Sequence, residues 1–235
     1  MNAGTIKGFL AVLAASALAA CSSGQGNNDV NLGGYLLDTV RTTVATRGAQ
    51  APQVVVVTPE MLAQTQSAAL QVNPEIRGGS DFLRRIAARN DSRLGTVEVW
   101  RSSDNAQVFL RNGVVVGTRG IGGDIIAADA NMTVRALQNR AQARGQRSYI
   151  VSDGDATSVE HIFECTVTNQ GSVSISVVNQ IFNTSRMIED CTGGPDGKET
   201  IRNTYWVENA TGLVRKSRQW VGPRTGYFEF ILLKN

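Results

Sequence analysis

The sequence predicts a mainly β domain, an antiparallel meander that forms a strongly twisted sheet, half-open barrel or sandwich, with two or three short N-terminal helices packed on it. Three observations predict this. From Thr96 to the C terminus, strand-like runs of alternating apolar and polar residues follow one another. Gly, Asn and Asp punctuate most of these runs at short intervals, so neighbouring strands pair in sequence order. Before Thr96 the apolar residues fall instead at helical spacing, as in Leu36, Leu37, Val40 and Val44.

Residues 1–20 read as a signal peptide. Lys7 supplies the positive n-region, Gly8 to Leu18 the apolar stretch, and small residues precede Cys21. A membrane-crossing helix needs about twenty apolar residues, and this stretch is too short for that. Leu18-Ala19-Ala20-Cys21 resembles the bacterial lipobox, in which the cysteine after the cut receives diacylglycerol and an N-acyl chain such as palmitate. The competing reading is a plain A-x-A cleavage beside an incidental cysteine. Lipidation explains more, because it accounts for Leu18 and for the stop at Cys21. With about 0.8 kcal/mol per buried methylene, three acyl chains make a permanent anchor. Ser22 after the cysteine, with no Asp, resembles the sorting state that sends such a lipoprotein to the periplasmic face of the outer membrane. Residues 21–31 then form the lipidated cysteine and a Gly/Ser/Asn tether, and residues 32–235 a single mainly-β periplasmic domain.

Within the domain, Leu36 to Val44 predict a short amphipathic helix ending near Gly48, and Gln53 to Val57 a buried β-branched strand. The stretch Thr58 to Pro74 has an N-cap Thr, a first-turn Pro59 and a terminal Asn73-Pro74, which predicts a helix across it. "SDFLRRIAARND" reads as a further short helix whose Arg84, Arg85 and Arg89 face solvent. Nine strand-like runs follow. Asn112-Gly113 fits a tight hairpin turn, Gln170-Gly171 a second, and "ENATGL" a loop with a glycine suited to positive φ. "DCTGGPDGKE" reads as a glycine-rich surface loop.

Charge and chemistry exclude more than they assign. The formal charge is +3, one less once Lys7 leaves, and the arginines are scattered, so nucleic acid is not a partner. With Cys21 lipidated, Cys165 and Cys191 remain as an even pair in an oxidising compartment. That favours a disulfide, worth about 3 kcal/mol for a loop of about 27 residues, over two free buried thiols or a metal site. His161 is the single histidine and no nucleophile motif accompanies it. Glu160, Glu164, Glu189 and Asp190 have no spacing that marks a glycosidase pair. "GTRGIGGD" matches neither phosphate-loop pattern and reads as a sharp bend. No cofactor, metal or catalytic residue is indicated.

"VEVWRSSDNAQVFLRNGVVVGTRGIGGDI" and, far downstream, "TYWVENATGLVRKSRQWVGP" resemble the YjbF/GfcB lipoproteins associated with group 4 capsule and exopolysaccharide production in Gram-negative bacteria. The shared features are a Trp-bearing strand, an R-N-G hairpin, a T-x-G-x-G-x-D turn and a C-terminal hairpin carrying Trp206, Ser217, Gln219 and Trp220. The "CTGGPDGKE" loop and its cysteine have no counterpart in that pattern. The resemblance implies an outer-membrane lipoprotein that assists production or export of a polysaccharide alongside envelope proteins. Two classes of action are compatible with it. In one, the domain is a contact module, with Trp100, Arg111, Arg119, Asp124, Trp206 and Trp220, joined by Arg101, Tyr205 and Tyr227, as residues that touch a partner protein or glycan. In the other, a half-open barrel shelters an acyl chain or a lipoprotein.

Overall fold

A computed structural model describes residues 56–154 and 156–235 of the chain. The signal peptide, Cys21, the tether, the Leu36 to Val44 helix and Gln53 to Val55 lie outside the described residues; Val56 and Val57 are not in a strand.

The chain opens with helix α1 (Pro59–Gln64), then strands β1 (Ala69–Pro74), β2 (Asp81–Asn90), β3 (Thr96–Arg101), β4 (Gln107–Arg111), β5 (Val114–Arg119) and β6 (Ile125–Ala128). Helix α2 (Asn131–Asn139) follows, and then β7 (Ala143–Ser152), β8 (Ser158–Val177) and β9 (Gln180–Gly193). The last three strands are β10 (Glu199–Glu208), β11 (Val214–Trp220) and β12 (Tyr227–Lys234). All twelve lie in one sheet of order β5-β4-β3-β2-β1-β12-β11-β10-β9-β8-β7-β6, paired antiparallel throughout. The meander therefore runs between sequence neighbours, closed by the β1–β12 pair and interrupted between β5 and β6. The two end strands meet without a ladder: Ile125 N donates to Thr118 Oγ1 at 2.9 Å. A nearly closed barrel results, as the alternation from Thr96 onward predicts.

Its inside is filled. Every second residue of each strand points inward, and Trp100, Tyr149, Phe163, Tyr205, Met187 and Val115 are fully buried there. Helix α2 seals one mouth, placing Val134, Ala136 and Leu137 in a cluster with Val167, Met187, Tyr205 and Val207. No helix among the described residues is long and apolar enough to cross a membrane.

Three expectations are corrected. "SDFLRRIAARND" is not a helix but β2, because it is hydrogen-bonded to β1 on one side and β3 on the other, and only Leu83 is buried inward. The helix begun by Thr58, whose Oγ1 accepts from Met61 N at 3.4 Å, ends at Gln64. Residues predicted to continue it form β1, with Leu70 and Val72 buried at period two. Gln170-Gly171 does not turn the chain: it sits inside the 20-residue β8, where the register slips between Asn169 and Ser172. The hairpin turns instead at Val178-Asn179, both at positive φ (47° and 64°), and so β8 and β9 form one long hairpin. Helix α2 and strand β6 were not foreseen. Asn112-Gly113 does turn the chain, with φ of 46° and 82°.

The tip of the β8–β9 hairpin extends past the last residue of β8 that pairs with β7, Val167. Val177 there joins Val57, Ala69 and Leu233 in a small apolar cluster, with Phe182, Met61 and Leu62 packed against it.

Candidate functional site

The outer wall of β7 to β10 carries a groove of about 670 Å³ rimmed by charged, hydroxyl and aromatic side chains. Strand register builds it. Arg144 faces Thr166, Thr166 faces Asp190, and Asp190 faces Arg202, a row across four strands. Two residues along, Gln146, Glu164, Thr192 and Thr200 form a second row. The residues between the rows, Cys165, Cys191 and Ile201, point inward and are buried, which fixes the outward direction of the polar set. Tyr227, at the start of β12, forms the end wall. Its hydroxyl oxygen accepts from Arg202 N at 2.9 Å, and the Arg218 guanidinium lies 3.7 Å from its ring centre.

The groove is solvated and internally paired. Arg202 Nε donates to Asp190 Oδ1 at 2.5 Å and Nη2 to Oδ2 at 3.2 Å, and this fork raises the guanidinium's pKa. At 66% and 48% exposure the pair is screened by water and contributes little to stability. Such pairs exchange readily with other hydrogen-bonding groups. Three threonine hydroxyls, a carboxylate fork and an aromatic end wall suit a flexible polyhydroxyl ligand better than a small apolar one.

Beneath the groove lies a buried ionic network that holds the wall in register. Glu189, one residue before Asp190, points inward, where Oε2 accepts from Arg147 Nη1 at 2.5 Å, Asn203 Nδ2 at 2.7 Å and the Tyr205 hydroxyl at 3.0 Å. Its Oε1 accepts from the Thr133 hydroxyl of α2. Arg147 also donates to Val115 O at 3.0 Å, and Gln219 accepts from Val115 N at 2.9 Å while donating to Gly113 O at 2.8 Å. Two side chains thus take both backbone groups of Val115, at the sheet's end strand, and tie it across the interior. Burial raises the Tyr205 and Tyr149 hydroxyls above their usual range, so both stay neutral.

The residues singled out in the sequence separate into different places. Trp100 and Trp220 are core residues and offer no face to solvent; Trp220 packs edge-on against Tyr149 at 5.0 Å. Tyr205 is likewise buried in the network. Arg111 is buried and grips Asp91 through two bonds of 2.8 and 2.6 Å. Asp124 organises its own turn, accepting from Gly120 N at 2.8 Å, Ile121 N at 3.1 Å and the Thr118 hydroxyl at 3.1 Å. Arg119 is exposed, and Trp206 is half-buried on the outer wall with Lys216 Nζ 5.5 Å from its ring. Arg101, at the end of β3, is also only partly exposed. The structure therefore does not bring the six together at one site.

Cys165 and Cys191 face each other across β8 and β9 and form a disulfide, with Cα atoms 4.0 Å apart. Their sulfurs are therefore bonded to each other, although Glu189 stands within 4.8 Å. The bridge joins two long strands, since Cys191 belongs to β9 and the surface loop begins after Gly193. His161 is buried at the barrel end beside Phe163 and Trp220, with Nδ1 3.1 Å from Glu199 Oε2. Among the described residues no serine or cysteine nucleophile hydrogen-bonds to its ring. Glu189 and Asp190 lie on opposite faces of β9 and do not form a carboxylate pair across a substrate.

Sequence reasoning passed over the groove and the Arg147–Glu189 pair. A signal existed for the pair: Arg147 has the same parity as Tyr149 and Val151, and Glu189 the same as Met187 and Cys191, so both charges sit in inward positions.

The family model described as Group 4 capsule polysaccharide lipoprotein gfcB, YjbF matches residues 37–233. The crystal structure of the hypothetical lipoprotein YmcC from Escherichia coli (K12) is similar in fold, with a TM-score of 0.66 at 19% identity, covering 85% of this chain and 96% of that one. Among curated proteins, none matches the chain. The groove, the filled barrel and the shared strand pattern are thus features of a chain that belongs to the YjbF/GfcB family of group 4 capsule polysaccharide lipoproteins.

Proposed function

We propose that this protein is an outer-membrane lipoprotein, anchored through Cys21 at the periplasmic face, that serves capsule or exopolysaccharide production or export as a non-enzymatic accessory. It acts by contact, touching the polymer or neighbouring envelope proteins through the outer groove. The observation that carries this reading is the matched family, which spans the barrel. Geometry adds two supports. The inward positions are occupied by Trp100, Tyr149, Phe163 and Tyr205, which takes away the volume that an acyl-chain carrier needs. The groove presents hydroxyl, charged and aromatic groups on the outside, as a glycan contact surface requires.

The test is to fill the groove without touching the core. Replacing Thr166 and Thr200 by Trp, both outward-facing, is expected to leave the circular dichroism spectrum unchanged and to reduce surface polymer several-fold in cells. Normal polymer levels with a folded double variant would rule the groove out. Polymer turnover by the purified protein, lost on Glu164→Gln or Asp190→Asn substitution, would replace contact by catalysis.

A further inference from the structure

Three arginines from separate parts of the chain gather at one glycine turn on the barrel end opposite α2. Arg119 closes β5 immediately before the turn Gly120–Asp124. Arg77, from the β1–β2 loop, donates through Nη2 to Ile121 O at 3.1 Å. Arg224, from the β11–β12 loop, packs its stem on Gly123, where an added Cβ would stand 3.2 Å from Arg224 Cβ. An added Cβ at Gly122 would stand 3.2 Å from Arg77 Nη2. Glycine at both positions, with φ of 81° and 102°, therefore lets the guanidinium-bearing loops approach the backbone closely.

The two carboxylates nearest the turn are already engaged. Asp124 spends both oxygens on Gly120 N, Ile121 N and the Thr118 hydroxyl. Arg224 pairs with Asp153 at 2.8 Å, but both side chains are more than half exposed, at 61% and 57%, so the pair is weak and open to competition. The Arg119 side chain makes no hydrogen bond or ion pair among the described residues, and neither the Gly122 nor the Gly123 amide has a partner there. An exposed Arg119 fork and a weakly held Arg224 fork beside backbone N–H groups that have no partner among the described residues are the chemistry that holds carboxylates.

We propose that Arg77, Arg119 and Arg224 with the Gly120–Gly123 turn form a site for the carboxylate groups of an acidic polysaccharide. This rests on the polysaccharide reading above and names the polymer class. The matched family, one of capsule polysaccharide lipoproteins, favours polymer over anionic lipid headgroups as the occupant.

The full lipidated chain in detergent micelles is titrated with oligogalacturonate and with dextran of matched length. The proposal expects oligogalacturonate to bind and dextran to bind on the order of tenfold more weakly or not at all. The Arg119→Gln, Arg224→Gln pair should lose at least tenfold in affinity with an unchanged circular dichroism spectrum. A control pair, Arg84→Gln with Arg89→Gln on the exposed face of β2, should bind as the parent does. Equal binding of the two sugars, or an equal loss in the control pair, overturns the site and leaves the groove reading standing. So does failure to bind oligogalacturonate, or capture of phosphatidylglycerol vesicles in its place. The groove reading itself fails only on polymer levels in cells carrying the filled-groove variant, so the two failures are separable.

Discussion

Glu189 takes four hydrogen bonds from Arg147, Asn203, Tyr205 and Thr133 and has no exposure to water. A charge so placed is stabilised only while its partners remain, because desolvation of an unpaired ion in the interior costs several kcal/mol. Glu189→Ala is expected to destabilise the barrel by about 3–5 kcal/mol, read from the urea midpoint, since it strands the Arg147 guanidinium. Joint replacement of Arg147 and Glu189 by Met should recover much of that loss. A second residue-level expectation concerns acid. The Arg111 side chain first, and the Arg93 amide next, hold the Asp91 carboxyl well below the usual carboxylate range. A depressed folded pKa gives stability that is full above the unfolded value of about 3.9 and lost as pH falls through the folded value. Below about pH 4, the urea midpoint of the parent should therefore fall more steeply than that of Asp91→Asn. These residues also show where sequence reading stops. Alternation told that Trp100 and Arg147 share a strand face with buried neighbours, but which face is inside depends on the closed sheet.

At the scale of elements, the strands from β3 onward, β6 apart, were legible because their apolar residues alternate and most of their turns carry Asn-Gly or Gly. The stretch before Thr96 misled for a physical reason. "AALQV" and "DFLRRIAAR" are made of good helix formers, yet each is held by strand pairing on both sides, and tertiary pairing overrides local preference. Helix α2 was missed because Val134, Ala136 and Leu137 give only a short apolar stripe. The β8–β9 hairpin escaped because Gly171, although at φ 88°, makes a register slip and not a turn. What holds that hairpin is in part the disulfide, whose pairing the even cysteine count favoured and the cross-strand register explains. Cys165→Ala with Cys191→Ala is expected to lower unfolding stability by about 2–4 kcal/mol, and reduction of the parent in denaturant should produce the same shift.

For the whole molecule, the fold was readable and the site was not. A meander that closes through β1 and β12 follows from short turns between alternating strands. The groove instead arises from residues on four strands that meet only when register is set: Arg144, Thr166, Asp190 and Arg202 have no shared motif in the sequence. The same holds for the three arginines around the glycine turn, separated by more than forty residues at each step. The family match places the barrel among capsule polysaccharide lipoproteins, and the filled interior directs the search for its action to the outside. The central claim is that lipid on Cys21 holds this outside surface where the polymer passes. The most direct measurement replaces Cys21 by Ser and follows both membrane fractionation and the amount of exported polymer. The account predicts a chain that leaves the membrane fraction and export that drops to the level of a deletion strain; a Cys21→Ser chain that stays with membranes and sustains normal export would contradict it.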